Sequence, residues 1–400
     1  LAYQQGFIKM IKQLSLFLAL FSFLISATTI KAENGPLQYG LTLSLHSKVL
    51  NEKRNLLIYL PQGYESSKEK RYPVLYTLDG TTHFKHVVGT VEWLSKSANV
   101  IPGHIVVAIE NTNRFRDFSP SSPKSIPKET KTGGADKFIE FLSGELIPFI
   151  EEKYRTQKFR TLVGHSFGGL LTLQVLLTRP ELFQAYIAMS PIVIFDDMEL
   201  VNRAKRTLNA RTSISATLFM TLGNEKRIRP AFDKLVEVLT KQAPSNLKWQ
   251  SHIYPEETHM STPSKTLHNA LLDIHNGWRV SDQTLEQGVE AVFAHYQLLS
   301  KRYGEKIDVP GNVINDVGYI LLEKKKVNQA IAAFKKNVKL FPNNFNSYDS
   351  LAEAYEIAGK LKLALSTQEK AVQMAKDQKA RNLKQVEKRL QEIKDKISTK

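Results

Sequence analysis

The chain contains no cysteine, which excludes disulfide bridges, a thiol nucleophile and any thiolate-bound metal in one step. Long apolar runs are missing as well. The most hydrophobic stretch, residues 14–25, is 12 residues long, short of the roughly 20 that a helix needs to cross a bilayer. Nor does charge gather in a nucleic-acid-binding module. There are 55 Lys and Arg against 39 Asp and Glu, a net charge of +16, but the lysines are scattered and crowd toward the C-terminal end. No RNA-recognition or zinc-finger spacing accompanies them, which argues against a nucleic-acid partner. What remains is a globular composition, 42% hydrophobic in 400 residues. That is too long for one ordinary core, so one large domain and one smaller unit are expected.

The short apolar run has the flanks of an address. Lys9 and Lys12 precede it, and small or polar residues follow up to Ala32. This pattern predicts a secretory signal peptide over residues 1–32, beginning in effect at Met10, with cleavage after Ala32 and Ala27 as an alternative. Ile30, bulky at the position three before the cut, leaves an uncleaved anchor as the competing reading. The expected location is periplasmic or secreted, with no stable membrane span once the signal is removed.

Downstream, short apolar runs alternate with helical patterns. LTLSLHSKVL (41–50) and RNLLIYLP (54–61) read as an entering pair of strands, and 73–80, 104–110, 159–164, 185–190, 217–223 and 248–254 as strands buried on both faces. Helical segments fall at 90–97, 134–153, 169–178, 230–241 and 263–275. The alternation predicts an α/β fold class, a mostly parallel sheet with helices on both faces, over residues 33–280. Residues 114–132, RFRDFSPSSPKSIPKETKT, lack periodicity and follow a strand end, where α/β ligand sites lie. They read either as a mobile border of such a site or as a solvated loop.

A different period begins after Pro310. Gly318, Ala330, Phe334 and Pro342 fall at signature positions of a 34-residue helix-turn-helix repeat, and the same shift reaches Ala352, Ala364 and Gln368, with Leu351, Tyr355 and Ala371 at further ones. Residues 311–380 thus read as a small all-α region of two tetratricopeptide repeats, the second without the Phe and the closing Pro. A helical linker (281–310) precedes them, and a basic helical tail (381–400) extends the last helix. Two repeats fall short of the about three needed for independent stability. They are therefore expected to pack on the helical stretch at 283–303 and to offer surface to a protein partner.

The chemistry gathers at GHSFG, residues 164–168. An apolar strand runs into it and Gly168 and Gly169 open an apolar helix, the strand-turn-helix setting of a nucleophile elbow. The structural alternative for Ser166 is a small residue in a tight turn. As a nucleophile it needs a base and an orienting acid, which in this fold follow in the order Ser, acid, His. His259, in YPEETHMSTPS after the last strand, fits best, because His252 lies in the strand and His268 and His275 lie in the helix. Glu225 directly follows the TLFMTLG strand, and Asp233, Asp196 and Asp197 are its rivals. Glu256 and Glu257 stand too near His259. The backbone N–H of Phe167 and that of Thr81, in LDGTTHF after the third strand, are the expected oxyanion donors, with Thr82 the neighbour of Thr81 most easily confused with it. No metal or organic cofactor is implied.

Together YPVLYTLDG, NRFRDFSP, GGADKFIEFLSGELIPFIEEKYR, LVGHSFGGL and FQAYIAMSP resemble the esterase family of α/β-hydrolases that includes S-formylglutathione hydrolases, siderophore esterases, feruloyl esterases and mycolyltransferases. The resemblance spans about residues 41–278 and implies Ser166 as nucleophile, His259 as base, and Phe167 with Thr81 as oxyanion donors. It leaves the acid open between Asp and Glu. Members carrying C-terminal tetratricopeptide repeats are also familiar. A small-molecule carboxylic ester is the implied substrate. A siderophore is attractive because the basic balance suits an anionic catecholate and Arg114 and Arg116 border the site, although plain surface charge explains those arginines as well. The expected activity is serine-esterase hydrolysis. An acyltransferase on the same fold and a non-catalytic scaffold built on the repeats are the alternatives.

Overall fold

A computed structural model of the chain describes residues 39–210 and 213–399. The expected signal segment lies outside them, and among the described residues no helix is long and apolar enough to cross a membrane. Eight strands form one sheet: β1 (Leu41–Ser47), β2 (Glu52–Tyr59), β3 (Tyr72–Thr77), β4 (Ile105–Ile109), β5 (Thr156–His165), β6 (Ala185–Met189), β7 (Ala216–Leu222) and β8 (Leu247–Ile253). Their order is β1-β2-β4-β3-β5-β6-β7-β8. β1 and β2 enter antiparallel, β2 pairs antiparallel with β4, and the other pairs are parallel. β3 to β6 are buried on nearly every residue, which is why they read as unbroken apolar runs. The order reverses between β3 and β5, so their C-terminal ends flank the crevice where open α/β sheets bind ligands.

One face of the sheet is covered by α1 (Gly80–Glu92) and, further on, α7 (Thr262–Ile274). The other is covered by α3 (Ala135–Phe141, prolonged through a π-turn into Ile147–Lys153), α4 (Phe167–Thr178), α5 (Phe195–Ala210) and α6 (Arg229–Gln242). Between them, the stretch expected to lack structure after residue 114 opens with a short helix, α2 (Arg114–Phe118), capped by Asn113 Oδ1 on Arg116 N–H at 3.1 Å. Its far end is fastened where Ser122 donates to the Thr132 carbonyl and Gly133 N–H donates to Ser119 Oγ. Two helices exceed their sequence signal. α1 begins ten residues before the expected start because His83, Lys85, His86 and Gly89 interrupt its apolar stripe, and α5 opens with Asp196, Asp197 and Met198 all at positive φ.

After α8 (Asp282–Glu286) and α9 (Val289–Tyr303) come five helices: α10 (Gly311–Glu323), α11 (Val327–Leu340), α12 (Phe345–Ile357), α13 (Leu361–Asp377) and α14 (Leu383–Ser398). α10 and α12 begin 34 residues apart, as do α11 and α13. Gly318 is required where α10 meets α11, since a Cβ there would stand 2.3 Å from the Phe334 ring. The basic tail does not extend α13. Lys379 turns left-handed at φ 51° and the chain folds back, so that α14 buries Val386 and Ile393. Its Val386 carbonyl accepts a hydrogen bond from the buried Gln368, the residue standing where the first repeat has Phe334.

The helices share a core with the sheet. Phe159 of β5 packs on Tyr303 of α9 and on His275, and the apolar cluster continues through Val292 and Ile314 to Phe334. Inside this seam His104 and His275 are fully buried with rings 4.7 Å apart, His104 held by the Pro102 carbonyl and His275 by the Tyr303 hydroxyl. Burial pushes the His104 imidazole down to about 4 and His275 well below its usual range. An unfolded chain takes up protons on these rings below about pH 6.5 that the folded one refuses. Stability is therefore full above that value and declines as pH falls toward 4. The urea midpoint is expected to drop clearly between about pH 7 and pH 5, and a midpoint constant over that interval would contradict the assignment.

Candidate active site

β5 ends in GHSFG, and Ser166 sits between strand and helix at φ 61°, ψ −117°, a region that costs a non-glycine residue about 1–3 kcal/mol. The turn is held at both ends. Ser166 N–H donates to the Met189 carbonyl at 2.9 Å, and the Ser166 carbonyl accepts from Leu170 and Ile192 N–H. It closes only because residue 164 has no side chain, as a Cβ there would lie 2.1 Å from the Gly168 carbonyl oxygen. Ser166 therefore projects at the N-terminus of α4 rather than into the core.

His259 stands on the loop between β8 and α7, and its Nδ1 is 2.6 Å from Glu225 Oε2. Glu225 lies in the turn after β7 and its other oxygen accepts Gly223 N–H at 3.1 Å. Burial pushes the Glu225 carboxyl up, but the hydrogen bonds from His259 and its other neighbours outweigh that and hold it below the ordinary carboxylate range. The rival acids have other partners: Asp233 pairs with Arg229, Glu256 with Lys265, and Glu257 accepts from Ser261. The two loops are pinned by Asn224 N–H on the Glu257 carbonyl at 2.7 Å. No hydrogen bond joins Ser166 Oγ to His259 in this structure. The contact between their segments runs through His165, whose ring lies 4.6 Å from that of His259 and whose Nε2 is 2.8 Å from the His259 carbonyl oxygen.

The second loop of the crevice is the turn from β3 into α1. Asp79 occupies the left-handed region at φ 53°, and its carbonyl accepts both Thr82 and His83 N–H, at 2.9 and 3.0 Å. Among the described residues the N–H groups of Thr81 and Phe167 have no such partner, so of the two neighbouring threonines it is Thr81 whose donor stays free. The Thr81 hydroxyl turns away to Glu110 at 2.9 Å.

Both arginines are already paired. Arg114 places Nε and Nη2 on the two Asp79 carboxylate oxygens, at 2.6 and 3.0 Å, and reaches the His165 carbonyl at 3.2 Å. Arg116 grips Glu52 with both terminal nitrogens and Asp117 with Nε, above a buried Arg54–Asp117 pair. Neither is an unpaired cation at the rim, so the charge that suggested a substrate-binding role is met within the protein. RFRD contains only one acid beside its arginines. The partners Asp79 and Glu52 come from the turn after β3 and from β2, where no local pattern points to them. The sequence also gave no sign of an aromatic row beside the elbow, in which the Phe167 ring meets Phe115 at 5.2 Å and Phe195 at 5.3 Å, both edge to face.

A serine on a strained strand-to-helix turn at the switch point of such a sheet, with a histidine–carboxylate pair on the following loops, places the chain in the α/β-hydrolase class. More narrowly, it belongs to the family described as "Putative esterase", whose model matches residues 47–282. Among curated relatives it is 36% identical over 160 residues to the ferri-bacillibactin esterase BesA of Bacillus subtilis, covering 36% of this chain and 55% of that protein. It is 36% identical over 161 residues to the siderophore enterobactin esterase of Emericella nidulans, covering 36% and 53%. The chain thus spans about half the length of these relatives. Among solved structures, an IroE-like serine hydrolase from Shewanella oneidensis matches with TM-score 0.65 and 29% identity over 76% of this chain and 99% of that one. An uncharacterised protein from Capnocytophaga ochracea, at 17% identity, shares the fold over 89% of this chain and 99% of its own, with TM-score 0.64.

The elbow is sterically closed at residue 164. Gly164→Ala is expected to cost about 3 kcal/mol, near the upper end for single substitutions, read as a lowered urea midpoint. An unchanged midpoint would show that the turn can relax around a methyl group.

Proposed function

We propose that the chain is an exported serine esterase that hydrolyses carboxylic esters through an acyl-enzyme. The observation that carries this reading is the strained Ser166 at the head of α4, on the same sheet edge as a His259 whose Nδ1 is held by Glu225. With Nδ1–H engaged by the carboxylate, Nε2 is the nitrogen left to take the serine proton. Ser166 Oγ attacks the ester carbonyl as its proton passes to His259, and the oxyanion is met by the Phe167 and Thr81 N–H groups. The intermediate then collapses, and His259 gives the proton to the departing alcohol. Water repeats the sequence on the acyl-enzyme and frees the acid. A serine–histidine hydrogen bond of this kind commonly tightens only in the complex with substrate.

For the substrate, a siderophore-type ester is favoured. The relatives named for ferri-bacillibactin and enterobactin support it, and the Phe115–Phe167–Phe195 row gives an acyl group an aromatic wall beside the nucleophile. The electrostatic argument from Arg114 and Arg116 no longer contributes. The 34-residue spacing of the C-terminal helix pairs supports a tetratricopeptide-like region that binds a protein partner. Export rests on the N-terminal pattern of Lys9, Lys12 and the apolar run after them.

Purified protein is expected to hydrolyse p-nitrophenyl acetate and to be labelled at Ser166 by a fluorophosphonate. Ser166→Ala should lose at least about 10³-fold in kcat, and equal rates in the two proteins would defeat the esterase reading. Glu225→Gln removes the charge that orients and stabilises the protonated His259. It is expected to lower kcat by about 10³–10⁴-fold with labelling still confined to Ser166. A loss below about 3-fold would mean that Glu225 is not the orienting acid.

A further inference from the structure

His165, the residue before the nucleophile, makes the contact between the elbow and the base loop, and nothing in the chemistry above uses it. It is 4% exposed. Its backbone is the last rung of the β5–β6 ladder, opposite Met189, and its carbonyl is held by Arg114. The ring is packed on two sides, edge to face on His83 at 5.5 Å and tilted on His259 at 4.6 Å. Its Nε2 lies 2.8 Å from the His259 main-chain oxygen, 94 residues away in sequence. A carbonyl only accepts, so Nε2 carries the hydrogen and the tautomer is fixed by the contact. Burial, with His259 and His83 alongside, pushes the His165 imidazole down to about 4. The ring is accordingly neutral near pH 7 and adds no second positive charge when His259 is protonated.

We infer that His165 is a positioning residue for the esterase reaction: its Nε2–H ties the main chain of the base to the segment that carries the nucleophile. The inference rests on the serine-esterase reading. Beyond the Asn224–Glu257 bond that joins its loop to the acid loop, His259 itself then has two independent fastenings. Glu225 fixes the His259 ring from the β7 side, and His165 fixes its backbone from the β5 side. With the first alone, the ring keeps its tautomer while its distance to Ser166 drifts with the loop. Displacements of about 1 Å between reacting groups cost rate by up to about 100-fold without weakening ground-state binding.

The test compares His165→Phe, which keeps a packed ring without the donor, with His165→Gln, whose amide N–H can reach the same carbonyl. Steady-state kinetics on p-nitrophenyl acetate and the second-order rate of fluorophosphonate labelling are measured beside thermal midpoints. The Phe variant is expected to lose 10–100-fold in kcat and in labelling rate, with KM within about 2-fold, and the Gln variant to recover most of both. Should His165→Phe fail to fold, His165→Asn, polar but too short to reach the carbonyl, takes its place with the same expected loss. Unchanged kcat in the donor-less variant, a loss that falls on KM, or a loss that Gln does not repair would overturn the assignment. Ser166→Ala run alongside separates the two claims: if it abolishes turnover while His165→Phe does not, the positioning role fails and the esterase reading stands.

Discussion

The structure of the site depends on one backbone constraint, the positive φ at Ser166. A serine resists this conformation, and three main-chain hydrogen bonds and two small neighbours hold it there. The bond from Ser166 N–H to Met189 makes the position of Ser166 a property of the β5–β6 pairing, so the sheet sets it rather than a flexible loop. The same turn starts α4 abruptly. Its first N–H groups are left without intrahelical partners, and the helix dipole points its positive end at the serine. Strand, turn and helix thus set the proposed nucleophile and one proposed oxyanion donor in a single geometric event.

The opposite wall of the crevice is built on a second left-handed residue, Asp79, and here side-chain charge does the holding. Asn111 and Arg114 both close on its carboxylate, and Arg114 also reaches the His165 carbonyl. Largely buried ion pairs of this kind contribute little net stability against an apolar replacement, but they fix geometry, because breaking one leaves a charge stranded. The Arg54, Arg116, Asp117 and Glu52 group below works in the same way and anchors α2, whose Phe115 reaches the aromatic row. The positive balance of the chain therefore says little about this crevice, whose arginines are neutralised from within.

The sequence showed the eight strands, the elbow, the histidine on its loop and the acid after β7, because each is a local signal. A both-faces-buried strand is a run of apolar residues, and the order of serine, acid and histidine along the chain follows from the order of the strands. What it hid was tertiary. Nothing near Arg114 announces Asp79. The one lysine and two histidines of α1 concealed that it starts at Gly80, because His83 is buried against His165 instead of facing solvent. The basic tail looked like a continuation of α13. Only Val386 and Ile393, spaced seven apart, hint that it returns to cover an apolar face. His165 carried no signal of its own within the motif, since its partner is a main-chain atom and leaves no residue pattern at all.

The helical region is joined to this machinery at one strand. β5 carries Ser166 at its end and, seven residues earlier, Phe159, whose ring lies against Tyr303 and His275. Val163 of the same strand belongs to the apolar cluster that runs on into α10 and α11. On the face already carrying α1 and α7, α9 covers the stretch around Phe159, and a buried parallel sheet tolerates water on neither side. That the Capnocytophaga ochracea fold overlaps 89% of the chain fits such an arrangement, in which sheet and helices form one body. Two helix pairs 34 residues apart are too few to stand alone, and here they do not have to. Their inner faces join the apolar cluster that runs through α9 to the sheet, and α14 closes the far end by burying Val386 and Ile393.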